Sequence, residues 1–203
     1  MQALYRNLLV TTLCVAVSVL MFDGVSHANG GHSVSKVKVK VRAELEPFDT
    51  SPEPDAEGQA RHHKEIRKGV IKKDEFKGMV TIPVPSPDLG ITRDNAKNAD
   101  VRLILSHDTI DYAECLLKFG GFEDEDDDSD DDDEAAQAHF RVHVRTKHGA
   151  AVAKKGTCDI NLTTVAVDLG VPDVQDGDLA TITLVTDSNN RGTDIDFLEG
   201  TFE

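Results

Sequence analysis

The sequence predicts an all-β fold, an antiparallel β-sandwich or barrel-like domain with long loops. Three observations carry that prediction. Apolar and polar residues alternate with a period of two in segment after segment, only one stretch reads as a passable helical turn, and the connections are rich in Gly, Pro and Asp.

The N-terminal segment stands apart from this pattern. Arg6 precedes an apolar or small run over 8–22, and Ser26, His27 and Ala28 supply small residues at the two positions a signal peptidase reads. The run, about 15 residues long, falls short of the roughly 20 that cross a bilayer as a helix. A cleavable signal-peptide helix is therefore expected over 1–28, then a short flexible mature N-terminus over 29–35 and a single β domain over 36–203. Cys14 follows Leu13 where a lipoprotein site needs a small residue, so lipidation is not expected. The expected location is periplasm, cell surface or medium, with no membrane span left after cleavage.

In the first strand Val37, Val39, Val41, Ala43 and Leu45 alternate with Lys36, Lys38, Lys40, Arg42 and Glu44. A loop over 49–57 leads to a weakly alternating pair of strands over 59–73, turning at Lys68 and Gly69. Phe76, Gly78, Val80, Ile82 and Val84 form the next inward set, ended by Pro83, Pro85 and Pro87, which lack a ladder donor. The helical turn is 94–99. Segments 101–106 and 112–119 read as a hairpin with Ala113, Cys115, Leu117 and Phe119 on one face. After an acidic run, Ala138, Phe140, Val142 and Val144 face inward and leave His139, Arg141, His143, Arg145 and Lys147 outside. His148 and Gly149 turn into 150–154. Cys158, Ile160 and Leu162 share a phase, and 165–169, 179–185 and 195–202 complete the strands.

Cys115 and Cys158 survive cleavage into an oxidising compartment, and each lies in an inward phase, which predicts a buried disulfide. Closing that loop is worth roughly 4 kcal/mol in the chain-entropy model. The chain carries no Trp, which sets it apart from an immunoglobulin-type core.

The net charge is −15, and 11 of those charges sit in the run 123–134, broken only by Ser129. The acidity is local and argues against nucleic acid or anionic lipid at that surface. A solvated, self-repelling disordered loop is the expectation. Carboxylates also attract Ca²⁺, with Asp124, Asp126, Asp128, Asp130 and Asp132 as candidate ligands. As an EF-hand loop the run fails, because Ser129 replaces the required Gly and Ala135 the closing Glu. The loop of Asp187, Asn189, Arg191 and Gly192 fails for other reasons, since the cation Arg191 sits at the fifth position and Ile195 falls one residue late, and it reads as a polar hairpin connection.

Arg61, Lys64, Arg67, Lys68, Lys72, Lys73 and Lys77 form a basic stretch suited to the acidic run, an anionic polymer or a phosphate surface. It lacks aromatic residues to stack on bases, so nucleic acid is not expected. His139 and His143 lie about 13 Å apart on a strand, too far to share an ion, though partners such as His63 or His107 can approach across strands. An N-terminal copper site at His32 would need cleavage after Asn29. No Gly-x-Ser-x-Gly elbow, His-Glu-x-x-His or phosphate-cradling glycine loop is present.

The reading is an exported, non-enzymatic β domain acting as a binding or surface-structural module. Its protein or polymer partner is unidentified, and its acidic loop is suited to Ca²⁺. The first strand offers a possible edge for self-association, against which its own lysines also protect. The alternative is an extracytoplasmic metal-handling protein or enzyme that assembles histidines across strands.

Overall fold

The structure, a computed structural model, describes residues 36–123, 136–162, 167–187 and 193–203. These form ten strands: β1 (Lys36–Pro47), β2 (Glu57–Arg67), β3 (Val70–Val84), β4 (Asp100–His107), β5 (Ile110–Glu123), β6 (Ala136–Lys147), β7 (Ala150–Lys155), β8 (Thr157–Asp159), β9 (Leu179–Val185) and β10 (Ile195–Thr201). The expected helical turn is a single 3₁₀ turn, Ala96–Asn98. The signal segment 1–28, the N-terminus 29–35 and the acidic positions 124–134 lie outside the described residues.

Neighbours run β6, β3, β2, β1, β10, β9, β4, β5, and the β5–β6 pairing closes the ring. The fold is thus an eight-stranded antiparallel barrel rather than two packed sheets. Two strands make the corners. β1 pairs with β2 over Lys36 to Leu45 and with β10 at Glu46 and Pro47, while β5 pairs with β4 through Leu117 and with β6 from Lys118 onward.

Below Lys118 and Arg141, β5 and β6 diverge, and the short strands β7 and β8 fill the gap, one bonded to β6 and the other to β5. Gly156 sits at the apex of this wedge with φ +62°, and a Cβ there would lie 2.2 Å from the Leu116 carbonyl oxygen. Cys115 and Cys158 are direct partners across β5 and β8 and form the disulfide, joining residues 43 apart in sequence.

The inward phase of each strand builds the core. Phe76, Phe140, Phe197, Phe202, Leu103 and Ile182 are fully buried, with Val80, Val101, Leu117, Val142 and Leu198 among them. An eight-stranded barrel is just wide enough for side chains to fill. One end is covered by 48–56 and 86–99, which bury Ala56, Leu89, Ile91 and Ala96, and the other by the segment carrying Val174. An apolar interior with a charged exterior is the reverse of a barrel that faces lipid.

Three details depart from the alternation. Val37 and Val39 have the inward phase but are 52% and 36% exposed, because β1, β2 and β3 overshoot the rim and no opposite wall among the described residues covers them. Ile160 does not continue inward from Cys158, since β8 ends at Asp159. No strand is assigned at 167–169, where Val167 and Leu169 are exposed and a single bridge joins Leu169 to Asp159.

The β1–β10 seam is tight at Gly200. A Cβ on Gly200 would lie 1.9 Å from the Glu44 carbonyl oxygen, so no larger residue fits without parting the strands. Gly200→Ala is expected to cost about 1–3 kcal/mol, lowering the melting temperature by several degrees in a calorimetric scan. Cys115→Ala with Cys158→Ala should lose up to roughly 4 kcal/mol, read by urea unfolding against the oxidised parent.

Candidate functional site

Because inward positions are taken by the core, charge is sorted onto the outer face, strand by strand. The register lines up five outward residues across five strands: Arg42 opposite Arg61, Arg61 opposite Lys77, Lys77 opposite His143, and His143 opposite Lys155. A second row runs Lys40, His63, Glu75, Arg145, and a third Gln59, Met79, Arg141, Lys118. Adjoining clefts of about 500 and 360 Å³ follow these rows and share Arg61 and Lys77. Between them they are lined by seven Lys or Arg side chains but by two carboxylates, Glu75 and Glu203.

Glu75 organises this wall. Its carboxylate lies 2.8 Å from Lys73, 2.9 Å from Lys77 and 2.6 Å from His143. Partial burial opposes its ionisation, but the bonds from the two lysines and the histidine outweigh that and hold its pKa down at about 2. It stays charged throughout the physiological range. Arg61, Arg141 and Lys155 make no ion pair among the described residues, so the wall keeps an excess of positive charge. His63 senses that excess: burial first, then Lys73, Lys40 and Lys38, push its pKa below the ordinary histidine value. His143 is also lowered, chiefly by burial, against the opposing bond to Glu75.

The basic stretch legible in the sequence does not form one surface. The pleat divides it: Arg61 and Lys73 belong to the outer wall, whereas Lys64 has the inward phase near the rim and pairs with Asp173 at 2.8 Å. Arg67 bonds Glu65 at 2.5 Å, Lys68 occupies the hairpin turn with φ 51°, and Lys72 is the bulge residue between the pairs Glu65–Lys73 and Ile66–Ile71. The cations that complete the wall come from β1, β6 and β7. The outward phase of Arg42 and Arg141 is legible in the alternation, whereas Lys155 lies just past the expected strand 150–154, and the register that aligns the three is not legible.

The histidines disperse. His62 points inward, its ring nitrogens 3.2 Å from the Val174 carbonyl and 2.8 Å from Asp74, and fastens the segment that covers that end of the barrel. His63 faces the opposite way. His139 is nearly buried rather than exposed, with Nδ1 3.0 Å from the Thr81 hydroxyl. Its Nε2 lies 2.7 Å from the Glu123 carboxylate but off the hydrogen-bonding direction. Among the described residues no three His, Cys, Asp or Glu side chains are placed to hold a metal ion. The candidate calcium ligands Asp124, Asp126, Asp128, Asp130 and Asp132 fall outside the described residues.

The remaining wall has the opposite charge. Asp111, Glu114, Asp194 and Asp196 share a cleft with Arg102, which bonds Asp100 at 2.7 Å and also Glu114. At the rim, buried Asp178 accepts from His107 Nδ1 at 2.7 Å, from the Tyr112 hydroxyl at 2.8 Å and from the Gln175 amide at 2.8 Å. This cluster resembles a catalytic pair in outline, but its geometry is that of a fastening between the β4–β5 hairpin and the segment leading into β9.

The Asp178 bond, and then the charge of Asp108, raise the His107 pKa above its ordinary 6.5. A raised histidine pKa contributes stability in full below the unfolded value, and that contribution disappears as pH rises through the folded one. His107→Gln should therefore lower the melting temperature more at pH about 5.5 than at about 8.5. Thermal scans of both proteins across that range check the sign; a penalty that grows with pH contradicts it.

No protein-family model matches this chain, and no curated protein or solved structure matches it either.

Proposed function

We propose that this protein is an exported, non-enzymatic barrel that serves as a binding or surface-structural module, recognising its partner through its outer wall. The observation that carries this reading is the division of labour in the barrel. Inward positions are filled by large apolar side chains, whereas the adjoining clefts lie outside, lined by seven Lys or Arg side chains of which Arg61, Arg141 and Lys155 make no ion pair among the described residues. Export is supported by the N-terminal pattern over 1–28 and by the Cys115–Cys158 disulfide, which suits an oxidising compartment. The run 123–134 adds a calcium-attracting function, supported by its 11 carboxylates.

Equilibrium dialysis of the full-length, oxidised protein with a labelled long-chain fatty acid should give no saturable uptake; one molecule held per barrel would mean that the interior is the binding site and would overturn the outer-wall reading. Calorimetry with CaCl₂ should show saturable heat, lost on deleting 123–134. Absence of heat removes calcium from the proposal.

A further inference from the structure

The three outward rows bring to one wall cations that are scattered along the chain, in a protein whose net charge is −15. At physiological salt the Debye length is about 8 Å, so a ligand lying on this wall senses the local excess and little of the acidity elsewhere. The row from Arg42 to Lys155 crosses five strands, which at about 4.8 Å per strand makes a track of about 19 Å. That shape suits an extended polymer and exceeds what a single small anion needs.

We propose that the outer wall of β1, β2, β3, β6 and β7 binds an anionic polysaccharide laid across the strands, its sulfate or carboxylate groups tracking Arg42, Arg61, Lys77, His143 and Lys155. This rests on the outer-wall reading above and narrows it to one ligand class.

Chemistry separates this class from other polyanions. The clefts have no Phe, Tyr or Trp in their lining, so the large stacking platforms that hold single-stranded nucleic acid are missing. Met79 is the one large apolar side chain on the outer face of this lining, without a Trp or Tyr beside it to anchor a folded protein. What they offer is charge, the amide of Gln59 for hydroxyl groups, and a track. The track is pre-organised: Glu75 fixes Lys73, Lys77 and His143 in place, so less side-chain freedom is lost on binding than for lysines loose in solvent. An arriving anion also opposes the lowering of the His63 pKa by burial and by Lys73, Lys40 and Lys38.

The test is surface plasmon resonance of the full-length, oxidised protein over immobilised heparin and over polygalacturonate, between about 50 and 200 mM NaCl. Heparin reports sulfate recognition and polygalacturonate carboxylate recognition. Binding to at least one is expected, with affinity falling steeply as salt rises. Arg61→Gln with Lys155→Gln should weaken it at least about tenfold and lower the salt slope by about 2. Lys68→Gln with Lys72→Gln, at the hairpin tip outside the clefts, should stay within about twofold. Circular dichroism melts confirm that both variants fold. No binding to either polysaccharide, or equal losses in the two variants, overturns the proposal. Tighter binding to single-stranded DNA or poly-L-glutamate overturns the ligand class and leaves the outer-wall reading standing, whereas saturable fatty-acid uptake strikes that reading itself.

Discussion

The pleat of a closed sheet is the constraint on which everything else depends. In an open sheet a strand can slip by one residue and turn its faces over; in a ring each strand is held by two neighbours, and a slip must be absorbed all the way round. Here a slip of β2 would carry Arg61 and His63 into contact with the Phe76 and Val80 layer. Leaving a buried charge unpaired costs several kcal/mol, a sizeable part of a domain's whole stability. The same alternation that fills the core therefore fixes the alignment of Arg61, Lys77 and His143 outside it.

Each wall is steadied by a residue of its minority charge. On the basic wall one carboxylate, Glu75, collects two lysines and a histidine; on the acidic wall one guanidinium, Arg102, collects Asp100 and Glu114. The consequences mirror each other, with Glu75 held far down its titration range and Arg102 pushed further up its own by the Asp100 and Glu114 bonds against burial. Like charges on adjacent strands repel, and one well-placed opposite charge lets several of them share a face.

Much of the fold is written in the period-two pattern. Val41 to Leu45, Phe76 to Val84 and Ala138 to Val144 are legible as inward sets because burial imposes the same alternation on every strand. The turns at Lys68–Gly69 and His148–Gly149 are legible because the chain needs positive φ there. Strand order leaves no such mark. That β5 leaves β4 to close on β6, or that β10 approaches β1 closely enough to demand Gly200, depends on residues far apart in the chain. The site suffered most from this: the basic stretch in β2 and β3 is contiguous in sequence, yet the wall is contiguous in space and takes Arg42 from β1, Arg141 from β6 and Lys155 from β7.

The wedge at β7 and β8 has a mechanical meaning. A tension drawn along the wall falls hardest on its outermost strand, where hydrogen bonds open one at a time as in peeling tape. β7 ends at Lys155, and three residues on the chain reaches Cys158, which is bonded covalently to Cys115 in β5. Force entering at Lys155 thus passes through a short stretch of backbone into a bond that does not unzip. The terminal cation of the row sits beside a rivet.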